Sequence, residues 1–140
     1  MRSLAALVTT FVLVACSTAP ATRDQSNPPS ASMNSAVEFL LTSAATDFHT
    51  HRPPYPVRFR DVRSGYLMTP DGTRQYRLCG EFLPAQEGGE AEWTPFVTIK
   101  TSGYEQWLGS QGLSYCNRSS MTWDMGDLSS LLQGRLDALR

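Results

Sequence analysis

The alternation of apolar and polar residues divides the chain into two helical stretches and a strand-rich middle. From Asn34 or Ser35, either of which can cap a helix, apolar side chains recur at spacings of three and four, as in a helix that buries one face. A second stripe follows Asp124 and Asp127, which are also capping residues. The pattern predicts an N-terminal and a C-terminal helix. The stripes are Val37, Leu40, Leu41, Ala44 and Phe48 in the first, and Leu128, Leu131, Leu132, Leu136 and Leu139 in the second.

Two strands are predicted on either side of residues 69–73, where proline presets φ and glycine permits a positive φ, as in a turn. In the first strand Val57 and Phe59 share a face, and in the second Tyr76, Leu78 and Phe82 share a face. A loop with an even number of residues brings these apolar sets to the same side of the sheet, whereas a three-residue loop separates them. We therefore expect an even-length loop or a compensating bulge.

The same register predicts that the second face of this strand pair carries both charged and apolar side chains. A third strand is expected at residues 93–100, with Pro95 at an edge or a strand start. Together these elements predict an α+β domain over residues 34–140, with a small antiparallel sheet of three to four strands and a helix at each end. The second face of the hairpin is predicted to carry Arg58, Arg60, Tyr66, Met68, Arg77, Cys79 and Glu81.

The N-terminal residues have the pattern of an export signal. Residues 1–15 combine Arg2 with an apolar run of about 12 residues, which is too short to span a bilayer. Leu13-Val14-Ala15-Cys16 then resembles the lipobox of bacterial lipoproteins, whose cysteine is acylated, with palmitate among its chains, and becomes the first residue of the mature protein. The resemblance implies that Cys16 carries a membrane anchor. The alternative is an ordinary secretory signal with a chance cysteine.

The residues after Cys16 bear on the destination of the protein. Lipoproteins retained in the inner membrane typically carry aspartate after the cysteine, and this chain has Ser17, so the resemblance implies the outer membrane, facing the periplasm. Residues 16–33 are rich in Ser, Thr, Ala, Pro, Asn and Gln and have no periodic apolar face. We expect them to form a disordered tether.

The cysteine count supports an exported protein. Of three cysteines, Cys16 is assigned to the lipid, which leaves Cys79 and Cys116 as an even pair in an oxidising compartment. A disulfide between them is predicted. If Cys79 points to the second face of the sheet, the segment near residues 104–118 must cross that face and cover part of it.

Composition excludes some function classes without identifying an activity. A formal net charge of -1 with 18% charged residues does not indicate a nucleic-acid partner. The sequence has no Gly-x-Ser-x-Gly elbow and no glycine-rich phosphate loop, so we predict a non-enzymatic protein without a cofactor. Asp47, His49 and His51 are of types that ligate zinc, copper or nickel, and in an extended segment both histidines share one side.

Charge and aromatic residues suggest a binding surface. Six arginines lie between residues 52 and 77, whereas residues 81–92 carry four acids and no base. These opposite charges can either steer a charged partner or pair across strands. Tyr104 and Trp107, bracketed by glycines, form either a recognition loop or the cover of a sheet face. The predicted partner-binding residues are therefore Arg58, Arg60, Tyr104 and Trp107.

The sequence thus predicts a non-catalytic binding or accessory module, held by its lipid on the outer membrane and binding an envelope protein. One alternative is an inhibitor of an envelope-directed hydrolase; another is a metal-binding protein or enzyme that uses His49 and His51. Ser64-Gly65-Tyr66 is similar to the serine-glycine motif of membrane-bound lysozyme inhibitors, which are also small disulfide-bearing lipoproteins. The Thr-Lys-Gly partner motif of that family is missing from this sequence.

Overall fold

The computed structural model describes residues 29–140 except 53 and 87, with side chains from residue 33 onward. The predicted signal, Cys16 and most of the predicted tether lie outside the described residues. The helices are α1 (Pro29–Thr50), α2 (Gly109–Cys116) and α3 (Ser129–Asp137), and the strands are β1 (Pro56–Met68), β2 (Arg74–Pro84), β3 (Thr94–Lys100), β4 (Tyr104–Leu108) and β5 (Thr122–Trp123).

The strands form one antiparallel sheet in the order β4-β3-β2-β1-β5. The predicted α+β class is confirmed, but the sheet has five strands, where three to four were expected. The additional strands are the short edge strands β4 and β5. β4 occupies the segment considered as a recognition loop, because a tight turn, in which the Thr101 N–H donates to the Gly103 carbonyl, reverses the chain after β3.

Helix α1 begins at Pro29, inside the segment expected to be the tether and earlier than Asn34. Proline is favourable at the first helical position because the N–H that it lacks would have no partner there. α1 ends at Thr50, before the proline-rich residues 53–56. Within the described residues, none of the helices is both long and apolar enough to cross a membrane.

Helices α1 and α3 pack on one side of the sheet, called here the helix face. The Phe48 ring is in the centre of this core, with ring centroids 5.4, 5.0 and 5.4 Å from those of Phe59, Phe82 and Phe96. α3 adds Leu132 and Leu136 to this core. The buried stripe of α3 is narrower than the predicted one, because Leu131 and Leu139 at its flanks remain 56% and 42% exposed.

A bulge in β1 joins two different registers. Near the turn, Tyr66 lies opposite Tyr76, and the loop of residues 69–73 that joins the two strands has an odd number of residues. The predicted even-length loop is therefore wrong. The predicted alternative, a compensating bulge, is confirmed: the register shifts between Arg60 and Arg63, where Asp61 has a φ of 52°. Because of this shift Phe59 and Val62 both face the helices.

The registers also correct three predicted positions. Tyr66 and Met68 were expected on the face that carries Cys79, but they follow the opposite alternation, and Tyr66 contacts Tyr76 with a centroid distance of 5.9 Å. A second shift, between Pro56 and Arg58, leaves Val57 47% exposed instead of on the apolar face. The three corrections have the same cause, because the extra residue at each register shift reverses which face the following side chains of β1 point to.

The other side of the sheet, called here the disulfide face, carries a smaller core. The predicted disulfide between Cys79 and Cys116 is confirmed, with a Cα–Cα distance of 6.0 Å. As expected, residues 104–118 cover part of this face: Tyr115 and Trp107 pack beside Cys79, Val97 and Ile99. α2 approaches β3 and β4 so closely at Gly112 that a Cβ there would lie 2.7 Å from the Trp107 carbonyl oxygen.

Candidate functional site

The bulge aligns three arginines on the disulfide face. In a regular strand Arg63 would face away from Arg58 and Arg60, because side chains alternate between faces. The extra residue reverses that alternation, so Arg63, opposite Cys79, stands on the same face as Arg60, opposite Glu81. Arg58, Arg60 and Arg63, called here the arginine row, therefore occupy successive positions on this face, about 7 Å apart.

Tryptophan rings hold two members of the row in place. The guanidinium carbon of Arg60 lies 4.2 Å from the centroid of the Trp93 ring, and that of Arg63 lies 4.9 Å from the Trp123 ring. Cation–π attraction in this geometry restricts the side chain without neutralising its charge. The row therefore presents guanidinium groups in a limited set of orientations.

The acids near the row neutralise only its middle member. Arg60 Nε donates to Glu81 Oε2 at 2.6 Å and lies 3.9 Å from Asp61 Oδ2. Among the described residues, neither Arg58 nor Arg63 has a carboxylate within the 4.0 Å of a salt bridge. Two planar cations, each able to bind a carboxylate through two hydrogen bonds, are thus available to a partner.

A cleft of about 170 Å³ opens beside Arg63, over the disulfide. Asp61, Glu81, Asn117 and Trp123 contribute to its walls. Asp61 also borders a neighbouring hollow that leads to residues 124–127. Aspartate is one of the few residue types that tolerate a positive φ, and this conformation leaves its carboxylate 78% exposed at the rim.

A fourth arginine on the same face, Arg77, is buried and stabilises the fold. Arg77 is only 5% exposed, and its Nη1 and Nη2 atoms donate to the Tyr115 carbonyl at 2.6 Å and to Gln75 Oε1 at 2.7 Å. Burial, and secondly the charge of Arg118, lowers the pKa of Arg77. Opposite charges do pair across strands, but between Arg60 and Glu81, whereas Arg77 anchors the end of α2.

Tyr104 and Trp107 lie apart from the arginine row. Both are on β4, which two strands separate from β1, a distance of about 14 Å. Their side chains also point to opposite faces: the Tyr104 hydroxyl donates to Asp47 Oδ1 at 3.1 Å on the helix face, and Trp107 stacks on Tyr115 at 6.0 Å on the disulfide face. Burial, and secondly the charge of Asp47 and the hydrogen bond to it, raises the pKa of Tyr104. Both residues support the packing of their faces.

Known proteins add no assignment to this site. No protein-family model, curated protein or solved structure matches the chain. Since one fold can carry many unrelated functions, the arginine row and its cleft are interpreted from their own chemistry.

The residues considered for a metal do not converge. α1 remains helical through His49, so His49 and His51 do not share a side as they would in an extended segment, and that expectation is wrong. His51 Nδ1 is hydrogen-bonded to Asp47 Oδ1 at 3.0 Å, while Arg52 donates to His49 Nδ1 at 3.1 Å. In the part of the chain that the structure describes, no three His, Cys, Asp or Glu side chains group closely enough to hold a metal ion.

The Ser64-Gly65-Tyr66 motif supports the edge of the sheet. Ser64 is buried, and its hydroxyl donates to Asp124 Oδ2 at 2.6 Å. A Cβ on Gly65 would lie 2.6 Å from the Thr122 carbonyl and 2.9 Å from the Trp123 ring, so only glycine lets β5 pair this closely. The motif therefore positions Trp123 under Arg63.

Sequence reasoning missed Arg63, Trp93 and Trp123 as members of the site. The expected register assumed regular alternation, which assigns Arg63 to the wrong face. One signal was present in the sequence. Phe59 and Val62 are both apolar, but residues three apart point to opposite faces of a regular strand, so burying both requires a bulge. Of the residues between them, Asp61 best tolerates a positive φ.

Proposed function

We propose that this chain is a non-catalytic binding module, anchored to the periplasmic side of the outer membrane through acylated Cys16, and that the arginine row binds a protein of the envelope. The observation that carries the proposal is that Arg58 and Arg63 are exposed cations without a carboxylate partner among the described residues, and that the Trp123 ring holds Arg63 in place.

The preorganised geometry favours binding. Ordering a long side chain at an interface costs about 0.5–1.5 kcal/mol, and a guanidinium already stacked on an indole loses less of its freedom. Arginine and tryptophan are also the residue types that most often dominate the energy of protein interfaces. Arg63 on Trp123, beside a cleft, combines these two properties.

The mixed charges around the row favour a protein over a polyanion. Asp61 and Glu81 lie within the row, and Asp124 and Asp127 border the neighbouring hollow. Such acids repel a uniformly negative ligand, whereas a protein surface with both signs of charge can match them. The arginine row therefore suits a protein surface with both signs of charge better than a polyanion.

The binding site is tested by photo-crosslinking in native envelopes. A photoreactive amino acid is placed at Val57, which is exposed beside the row, or at Met68, an exposed position at the hairpin end of β1. We expect one protein adduct from position 57 and none from position 68. Arg63→Glu should abolish the adduct, and Arg118→Glu, which changes the net charge equally, should leave it. Equal adducts from both positions would contradict the proposal.

The anchor has a separate test. In the full chain, Cys16→Ser should remove the mass of the acyl chains and release the protein from the membrane fraction, because the acyl chains supply the binding. A variant that stays membrane-bound with unchanged mass would show that the lipidation hypothesis is wrong.

Inhibition of an envelope-directed hydrolase is the second candidate, favoured by the loop before α3. Met125 is fully exposed at its tip, while Asp124 and Asp127 on either side are fixed by hydrogen bonds to Ser64 and Ser129. An apolar tip on a rigid loop suits insertion into a cleft. The test is hydrolysis of peptidoglycan by envelope hydrolases with and without the full chain; inhibition that Met125→Asp leaves unchanged would exclude this loop.

A further inference from the structure

The outer edge of β1 is open along residues 57–61. β5 lies beside β1 but pairs with it only near the hairpin. The open stretch is bounded at one end by the Val62 N–H, which donates to Ser129 Oγ at 3.1 Å, and at the other by the Pro56 carbonyl, which accepts from Arg140 Nη2 at 3.3 Å. Between them no strand of the described residues pairs with this side of β1, over roughly 17 Å.

A groove of about 350 Å³ runs beside this edge, between β1 and α3. Gln133 and Asp137 contribute to its wall, and the Asp137 carboxylate is already paired, since it accepts from Gln133 Nε2 at 3.1 Å and lies 3.3 Å from Arg140 Nη1. At Gly134, a Cβ would point into open space. An edge with unpaired N–H and C=O groups suits a ligand that brings main-chain donors and acceptors of its own.

The charge beside the edge defines the side chains of that ligand. A strand added to β1 would place its side chains on the disulfide face about 5 Å from those of Arg58 and Arg60. Arg58 has no carboxylate in salt-bridge distance among the described residues. Because Glu81 and Asp61 already neutralise Arg60, the charge that remains for the added strand is that of Arg58, and a carboxylate opposite Arg58 would satisfy it.

A second copy of this chain fits the edge poorly. An antiparallel copy of β1 would bring Arg58 and Arg60 of one chain beside the arginines of the other, and like charges directly opposite destabilise a strand pair. The arginines therefore oppose self-pairing and leave the edge open to a strand that carries a carboxylate opposite Arg58.

We propose that residues 57–61 of β1 bind an extended segment of a partner protein as an additional strand, with a carboxylate of that segment facing Arg58. The inference rests on the proposed binding function and states the form of the partner: an extended segment with a carboxylate opposite Arg58, which combines main-chain pairing with charge recognition.

The test uses the full-length lipoprotein in detergent and a synthetic peptide that alternates glutamate and valine. Main-chain pairing should slow hydrogen exchange of the amides in residues 57–61 by about tenfold or more at saturation. A peptide N-methylated at alternate residues should lose the effect, because it cannot complete the strand pairing. Arg58→Glu should abolish the effect of the glutamate peptide and create one for a lysine–valine peptide, and Arg118→Glu should change neither.

Four results would overturn the inference. Slowed exchange in β4 (Tyr104–Leu108) would place the peptide on the other edge. An effect that survives N-methylation would show binding by charge alone, and protection of residues 57–61 that rises with protein concentration without peptide would assign the edge to a second copy. If no peptide slows exchange but the crosslink from position 57 is still formed, strand addition is wrong and the proposed function stands. If no peptide slows exchange and no crosslink is formed, the proposed function also fails.

Discussion

Deleting a residue from the middle of a strand normally turns one half of it inside out, but deleting Asp61 should be tolerated. Asp61 is the extra residue of the bulge, and without it Phe59, Arg60, Val62 and Arg63 alternate regularly between the helix face and the disulfide face. The deleted strand therefore keeps Phe59 and Val62 in the core and keeps the arginine row.

The expected change in the free energy of unfolding is small. Removing a non-glycine residue with a positive φ relieves about 1 kcal/mol of strain, and less for aspartate. The exposed Arg60–Asp61 contact at 3.9 Å contributes at most about 1 kcal/mol. These effects oppose each other, so the deletion should leave stability within about 1 kcal/mol of that of the parent chain.

The matched control is deletion of Arg63. The shortened strand then places Asp61 at the core position and turns Val62, which is 0% exposed, outward. Loss of that burial costs about 1.5–3 kcal/mol, and a carboxylate in an apolar core adds to the cost. Urea unfolding followed by tryptophan fluorescence measures both variants. An Asp61 deletion that costs as much as the Arg63 deletion would refute this interpretation of the bulge.

Three further predictions concern stability. Replacing Cys79 and Cys116 by alanine should cost about 3–4 kcal/mol in urea unfolding, from the chain entropy of a loop with a sequence separation of 37; a cost below about 1 kcal/mol would contradict this. Gly112→Val should destabilise more than Gly112→Ala, because the added Cβ already meets a main-chain oxygen of β4 and the larger side chain cannot be accommodated; equal melting temperatures would contradict the close approach. Hydrogen bonds from Ser129 lower the pKa of Asp127, so its stabilisation is present above about pH 4 and is lost as the pH falls through the lower folded-state pKa. Asp127→Ala should therefore flatten the decline in urea midpoint below about pH 4, and an unchanged decline would exclude that contribution.

Local pattern was sufficient for much of the fold. The spacing of Leu40, Leu41 and Phe48 predicts α1 because a helix repeats every 3.6 residues whatever it packs against. The turn at residues 69–73 predicts the hairpin from backbone preferences alone. The pairing of Cys79 with Cys116 follows from counting, once Cys16 is assigned elsewhere. The short strands β4 and β5 were missed because edge strands depend on a neighbour for their pairing.

The candidate site was only partly accessible to the sequence. Arg58 and Arg60 were identified from charge density, but Arg63 joined them only through the bulge, and Tyr104 and Trp107 proved to lie on the opposite edge of the sheet. Proximity along the chain does not indicate which strands become neighbours.

The sequence by itself determined α1, α3 and the strands β1, β2 and β3, because periodicity and turn preference act over a few residues. The helix α2 and the edge strands β4 and β5 were not among the predicted elements. Tertiary structure alone decided which side chains meet. The position of the bulge depends on burying Phe59 and Val62 against α1 and α3 together, while Ser129 holds the main chain of Val62 from outside the sheet. That long-range requirement reverses the alternation of β1 and thereby places Arg63 on Trp123 in the arginine row.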